Sequence, residues 1–189
     1  LKEGLFSSDQ IYVSDPIADR RKYLTDTYGV NCLKENIDIL EKKGKILLAV
    51  KPQTLPEVYK DLKGKISPER PVISIVAGSK SSDLSKGLEH QQIIRVMPNT
   101  PSQIGKGMLV WTSTDEVDPT AIGEIASILK TLGEEYYVHD EKYMDMATAL
   151  SASGPAYVFL FIQSLIDSGV YLGMPRDMAK HLVLQTVLG

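Results

Sequence analysis

The stretch Lys45–Pro52, KILLAVKP, decides the fold that we predict for this chain. Its apolar run stops sharply at Lys51-Pro52, a pattern typical of a short strand that is buried on both faces. Two later runs have the same form, Pro71–Val76 (PVISIV) and Ile93–Met97 (IIRVM), and each also ends at a glycine or proline turn. The three runs indicate the centre of a sheet covered by helices on both sides.

Shorter segments with strand and helix patterns alternate around this centre. The further predicted strands are Gln10–Ser14, Gly29–Leu33, Gly107–Thr112 and Glu135–Val138. The predicted helical segments are Asp15–Tyr28, Asn36–Glu41, Thr54–Leu62, Asp83–Leu88 and Pro119–Leu132. Repeated strand–helix–strand order predicts an α/β fold with a parallel, doubly wound sheet. Such sheets bind their ligands at the carboxyl ends of the strands.

From Asp140 onward the pattern is helical. Ser153-Gly154-Pro155 begins a helix that is apolar on nearly every face, and we predict Ser153 as its N-cap. Its short length and its polar residues argue against a membrane span. A helix that is apolar all round must be buried, so we expect an intimate oligomer. We place a domain boundary near His139, which gives domains at 1–139 and 140–189.

Composition excludes several classes of function. The chain of 189 residues is 43% hydrophobic with a formal net charge of −3, which gives no indication of a nucleic-acid or membrane partner. The one cysteine, Cys32, excludes an intrachain disulfide and suits a reducing compartment, so we expect the cytoplasm. The sequence has no metal-site spacing, no Walker loop and no Gly-x-Ser-x-Gly elbow.

Four motifs occur in an order that resembles pyrroline-5-carboxylate reductases. They are AVKPQ (Ala49–Gln53), SIVAG (Ser74–Gly78), RVMPNTPSQIGKG (Arg95–Gly107) and the segment Asp145–Ala179, which contains SASGPAY. The resemblance implies a Rossmann-like domain followed by a helical substrate and dimerisation domain. It also implies reduction of 1-pyrroline-5-carboxylate to L-proline with NADPH or NADH, in a homodimer or larger homo-oligomer built from the C-terminal helices.

The chain departs from the family pattern in three places. A first strand with a GxGxxG-type loop would precede Leu1, and a segment that holds the substrate carboxylate would follow Gly189. We therefore expect a fragment, with the helical domain truncated. Ala152 stands where the family usually has glycine.

The resemblance also assigns cofactor-binding positions. They are Ser14, Asn36, Ala49, Val50, Lys51, Pro52, Val76, Ala77, Asn99 and Glu141. Asp15 beside Ser14 favours NADH if it binds a free 2′-hydroxyl, whereas Arg20 and Arg21 favour NADPH if they meet a 2′-phosphate. Simpler roles stay open: Asp15-Pro16 is a good helix start, and the arginines fit a solvated face.

Candidate catalytic residues precede the apolar helix. Thr148, Ser151 and Ser153 carry hydroxyls that fit the orientation of an imine and its carboxylate, with Thr148 as the proton relay. Helix capping is the simpler interpretation of all three. The histidines at 90, 139 and 181 are interpreted as structural or surface residues.

Two other functions remain open on the sequence. One is a related two-domain dehydrogenase of hydroxy acids or prephenate. Such enzymes usually have a catalytic lysine or histidine at the start of this helix, and this chain has neither there. The other is a catalytically incomplete relative that keeps the dimer scaffold. Tight cofactor binding by a protein with both end segments restored would count against the second.

Overall fold

The computed structural model describes Leu1 and residues 3–189. Within these residues the strands form two sheets. The first is a parallel pair, and its strands are β1 (Tyr12–Ser14) and β2 (Asn31–Leu33). The second has the order β3-β4-β5-β6-β7, and its strands are β3 (Ile46–Leu48), β4 (Val72–Ser74), β5 (Ile93–Met97), β6 (Gly107–Ser113) and β7 (Gly133–Tyr137).

The direction of β6 corrects the prediction of a wholly parallel sheet. β3, β4 and β5 are parallel, but β6 runs antiparallel to β5, with Met97 opposite Val110. Only residues 98–106 join β5 to β6, and this connection is too short for the crossover that a parallel pair needs. β7 follows a full helix and is again parallel to its neighbour β6.

Helices flank both sheets, close to the predicted positions. α1 (Ala18–Tyr28) packs on β2 of the smaller sheet. α2 (Leu55–Leu62) and α3 (Ser81–Leu88) cover one face of the larger sheet, and α4 (Pro119–Lys130) covers the other. Short 3₁₀ turns occupy Ser8–Gln10, Asn36–Glu41, Pro52–Thr54 and Thr100–Ile104. α1 begins later than predicted, because the Asp15 carboxylate first closes a turn onto the backbone N–H of Ile17 at 2.8 Å.

Alternation along β5 separates the cores on the two faces of the sheet. Ile93 lies in a core with α2 and α3, whereas Ile94 and Val96 pack with Trp111 and α4. Met97 lies on the same face as Ile93, but it packs in a third cluster with Met144 of the next helix. The third cluster attaches the C-terminal helices to the sheet.

That helical region runs on with little interruption. Its elements are α5 (Lys142–Ala147), a π-helical segment (Thr148–Ala152), α6 (Gly154–Tyr171) and α7 (Arg176–Leu188). Ser153 stands at the N-cap position of α6, as predicted, but it has helical dihedral angles and its side chain makes no capping bond. Its backbone N–H instead donates to the Thr148 carbonyl at 2.9 Å and closes the π turn.

The surface of α6 is apolar and open in the single chain. Ile166 is its one buried residue, whereas Phe159, Leu160 and Phe161 are 65%, 68% and 59% exposed. By length and composition alone, the helical run Lys142–Tyr171 is sufficient to cross a membrane, a test that core helices of soluble proteins also pass. The argument from short length is therefore wrong, because the helix starts well before Gly154.

A buried histidine makes the stability of the sheet sensitive to acid. His90 is 4% exposed, and its Nε2–H donates to the Arg70 carbonyl at 2.8 Å. Burial lowers the pKa of His90 below its ordinary value of 6.5, and the backbone hydrogen bond only partly opposes this. The unfolded chain therefore binds a proton more readily than the folded chain. Stability is complete above about pH 6.5 and falls as the pH drops through the lower folded pKa.

We expect His90→Gln, which keeps an N–H donor, to show a smaller loss of unfolding free energy between pH 7.5 and pH 5 than the unsubstituted protein. Urea unfolding at both pH values measures the difference. Equal losses in the two proteins would show that His90 does not titrate in this range.

Candidate active site

The carboxyl ends of the parallel strands form an edge lined by small residues. Ala49 follows β3 and Ala77 lies beyond the end of β4, and the side chains of both are exposed. Gly78 has φ +73°, and a Cβ added there would meet no atom within 4 Å. A glycine with positive φ beside open space lets a ligand approach the backbone closely. These residues leave room for a dinucleotide to lie against the protein backbone at the strand ends.

Four other predicted cofactor residues lie at this edge, two with side chains packed into the core and two with exposed side chains. Val76 is buried and Val50 packs against the same core, so each presents only its backbone to the edge. The Val76 N–H is already used, because it donates to the Ser74 hydroxyl at 3.2 Å. Lys51 and Pro52 are exposed, and Pro52 opens a 3₁₀ turn.

Ser14 and Asn36 are brought together by hydrogen bonds. The Ser14 hydroxyl donates to Asn36 Oδ1 at 2.9 Å, and Asn36 Nδ2 donates to Asp61 Oδ2 on α2 at 2.8 Å. This chain fixes the end of β1 against the 3₁₀ turn that contains Asn36. The pair forms a polar corner where a Rossmann-like fold places the adenosine end of its cofactor.

Asn99 connects the loop after β5 to the helical region. Its Oδ1 accepts from the Met108 N–H at 2.9 Å, and its Nδ2 donates to the Ser151 carbonyl at 3.4 Å. The side chain therefore holds the loop between β5 and β6 beside the π-helical segment. One N–H of its amide is left for a ligand.

The three predicted catalytic hydroxyls lie in or beside the π-helical segment. Thr148 Oγ1 donates to the Met144 carbonyl at 2.8 Å, which leaves its lone pairs free to accept. Ser151 and Ser153 are half-buried, and their hydroxyls make no hydrogen bond to the part of the chain that the structure describes. Local π turns of this kind are frequent at functional sites.

The Glu141 carboxylate lies where two helices begin. Its Oε1 accepts from the Ser81 N–H at 2.8 Å, from the Ser81 hydroxyl at 3.0 Å and from Arg95 Nη1 at 2.9 Å. Burial alone would raise the pKa of Glu141, but the bonds from Ser81 and Arg95 outweigh it and hold the pKa below its ordinary value. The carboxylate is thus ionised and already bound.

No group of three or more histidine, cysteine or acidic side chains in residues 1 and 3–189 is arranged to hold a metal ion. The arrangement of strand-end backbone and neutral hydroxyls fits an organic cofactor and a small polar substrate.

Comparison with known proteins identifies the family. Residues 141–189 match the family described as pyrroline-5-carboxylate reductase dimerisation, and residues 1–78 match NADP oxidoreductase, coenzyme F420-dependent. Pyrroline-5-carboxylate reductase from Synechocystis sp. is 40% identical over 190 residues, which cover 100% of this chain and 70% of the relative. The chain belongs to the pyrroline-5-carboxylate reductase family.

Solved reductases of this family have the same fold as the chain. The enzyme from Coxiella burnetii has a TM-score of 0.90 at 31% identity, and the match covers 100% of this chain and 70% of that one. The Plasmodium falciparum enzyme, solved with NADP bound, has a TM-score of 0.87 at 32% identity, with 100% and 69% covered. The predictions of family, of a Rossmann-like α/β fold and of an NAD(P)H-dependent oxidoreductase are confirmed.

The individual roles of the predicted site residues and the domain boundary near His139 stay predictions. In this reductase the last strand ends at Tyr137 and the helices begin at Lys142. Arg95 and Asp145 are parts of the site region that the sequence interpretation missed. A visible signal existed, because Arg95 is a charged residue inside an apolar run predicted to be buried, and such a charge needs an acidic partner.

Proposed function

We propose that the chain carries the catalytic framework of a pyrroline-5-carboxylate reductase, which reduces 1-pyrroline-5-carboxylate to L-proline in the last step of proline biosynthesis. The observation that carries the proposal is the position of the hydroxyls of the π-helical segment. Asn99 ties this segment to the strand edge where a nicotinamide cofactor fits. A further support is the NADP that is bound in the Plasmodium falciparum relative.

The reaction needs one hydride at the imine carbon and one proton at the imine nitrogen. The nicotinamide cofactor supplies the hydride when it is bound. The contribution of the chain is to orient the imine and to hold a proton close to its nitrogen. Thr148 is the candidate for the second task. Its hydroxyl proton is held by the Met144 carbonyl at 2.8 Å, so the O–H must rotate to donate that proton to the imine nitrogen, and the free lone pairs then accept a replacement proton from water. Ser151 and Ser153 have free hydroxyls for the ring nitrogen or the carboxylate.

The first test is an assay of the purified protein, of measured intact mass, with racemic pyrroline-5-carboxylate and each nicotinamide cofactor. Formation of proline with oxidation of the cofactor supports the proposal. Tight cofactor binding without proline formation would favour a related dehydrogenase. A protein that neither binds cofactor nor turns over would be the incomplete relative that keeps only the scaffold.

The contacts at the end of β1 favour NADPH over NADH. The Asp15 carboxylate points to the start of α1, where it accepts from the Ile17 N–H at 2.8 Å and is less available to a ribose hydroxyl. Arg21 Nη1 donates to the Asp15 carbonyl at 2.7 Å, which fixes this guanidinium beside the strand end. Its remaining N–H groups suit a 2′-phosphate.

We therefore expect Arg21→Gln to weaken NADPH binding by about tenfold, the size of one charge-assisted hydrogen bond, and to leave NADH binding within about twofold. Fluorescence titration of both cofactors measures this. The matched control is Lys22→Gln, because Lys22 is exposed and paired with Asp26 at 2.7 Å. Equal weakening of both cofactors would contradict a 2′-phosphate role for Arg21.

We also propose that α6 and α7 pack against a second copy of the chain. The match to the family's dimerisation region and the exposed apolar surface of α6 support this. We further propose that the enzyme is cytoplasmic, which the single cysteine supports, and that it has no nucleic-acid or membrane partner, which the modest net charge supports.

A further inference from the structure

Arg95 is a charged residue in the centre of the sheet. Its side chain is 2% exposed, and it lies on β5 between two buried polar residues of the neighbouring strands, Ser74 and Thr112. Nη1 donates to Glu141 at 2.9 Å and Nη2 donates to Asp145 at 3.1 Å. Arg95 Nε is buried without a partner. The guanidinium is thus held from one side, by two carboxylates at the start of the C-terminal helical region.

Those two carboxylates are four residues apart, so they lie on the same face of the helix that begins at Lys142. Two bonds from one rigid, planar guanidinium fix the rotation of α5 about its axis as well as its distance from the sheet. Asp145 precedes Thr148 by one helical turn. Any rotation of α5 therefore also moves the Thr148 hydroxyl.

The same network reaches the predicted cofactor loop. Ser81 is the first residue of α3, and it donates both its N–H and its hydroxyl to Glu141. Only Ser79 and Lys80 separate Ser81 from residues Val76–Gly78, which follow β4. Glu141 thus joins the turn that faces the cofactor to the helix that carries the substrate hydroxyls.

We propose that Arg95 is a positioning residue: together with Glu141 and Asp145 it fixes the π-helical segment relative to the cofactor loop, and so sets the alignment of imine and nicotinamide. The proposal rests on the proposed function. It assigns the Glu141 carboxylate to this network and leaves cofactor contact to the exposed backbone of the strand ends.

The experiment compares three proteins with the unsubstituted enzyme. Arg95→Met replaces the guanidinium by an apolar chain of similar length. The first change leaves two carboxylates without their cation, of which Asp145 is 66% exposed and solvated and Glu141 is 32% exposed. The double variant Arg95→Met with Glu141→Gln also removes the more buried carboxylate, and it is the variant to measure if the single one does not fold. The control is Lys142→Met, which breaks the exposed Lys142–Asp140 pair at 2.6 Å at the start of the same helix.

We expect kcat to fall about tenfold to a hundredfold in both Arg95 variants, because small misalignments of reacting groups have effects of this size. KM for the imine should rise, and the Kd for NADPH should stay within about twofold. Amide hydrogen exchange in residues 148–153 should become about tenfold faster, while that of β5 stays slow. The Lys142→Met control should match the unsubstituted protein in every measurement.

Two results would overturn the proposal. One is a folded Arg95 variant with unchanged kcat, KM and exchange in residues 148–153. The other is a loss of NADPH affinity as large as the loss of kcat/KM, which would show that the network serves cofactor binding directly. If the unsubstituted protein shows no imine reduction, the proposed function fails, and the exchange rates of residues 148–153 still decide whether Arg95 holds that segment.

Discussion

Single substitutions Phe159→Glu, Leu160→Glu and Phe161→Glu on α6 are expected to weaken the oligomer, so that at least two of the three variants dissociate into single chains. Phe159, Leu160 and Phe161 are each more than half exposed, and consecutive residues of a helix point about 100° apart. The three single variants therefore place a carboxylate on three different sides of α6. A carboxylate buried in an apolar interface without a partner costs several kcal/mol, so we expect at least two of the variants to weaken association by about a hundredfold or more.

Sedimentation velocity across a range of protein concentrations measures this association. The matched control is Tyr136→Glu, which replaces an equally exposed large residue, 62% exposed, on β7 outside the family's dimerisation region. The folded chain should tolerate all four substitutions, because each site is open in the single chain. If all three α6 variants associate as the control does, the interface lies elsewhere.

Thr148→Val is expected to lower kcat for imine reduction by about a hundredfold, the usual contribution of a group that transfers a proton. Valine has nearly the same shape, so the substitution removes the hydroxyl with little change in packing. The bond to the Met144 carbonyl is local to the helix, and its loss alone does not affect the chemical step. The Kd for NADPH should stay unchanged.

Thr186→Val is the control for this substitution. Thr186 makes the same bond one helical turn back, to the Leu182 carbonyl at 2.8 Å, but it lies on α7. Steady-state kinetics of both variants, together with thermal unfolding, separates loss of the hydroxyl from loss of the helix bond. Equal kinetics of Thr148→Val and the unsubstituted protein would move the proton-transfer role to Ser151, Ser153 or water.

Much of the fold could be predicted from the sequence because its signals are local. The run Ile93–Met97 and the turn Asn36–Glu41 have the predicted bounds, since a proline or a lysine-rich loop ends each one. The direction of β6 depends on pairing between distant strands, and period-two patterns carry no information about direction. The short connection before Gly107 was the only available indication.

The candidate site was predictable at the level of segments and less so at the level of side chains. Small residues at strand ends predicted an edge that is open to a ligand, and Ala49 and Ala77 are exposed there. Sequence spacing could not show that the polar atoms of Asn99 and Glu141 are bound to other parts of the chain. Such bonds join residues far apart in sequence, and only the folded chain brings them together.

The π turn at Thr148–Ala152 sets the rotation of α6 about its own axis relative to α5. Its hydrogen bond spans five residues instead of four. It therefore accommodates one residue more than a regular helix without turning α6 by the ~100° that an added α-helical residue would bring. A one-residue deletion inside this segment should leave the association surface of α6 facing its partner, whereas a deletion further along α6 turns everything beyond it. A one-residue change in the π segment can therefore move the substrate hydroxyls without changing the direction in which the association surface of α6 faces.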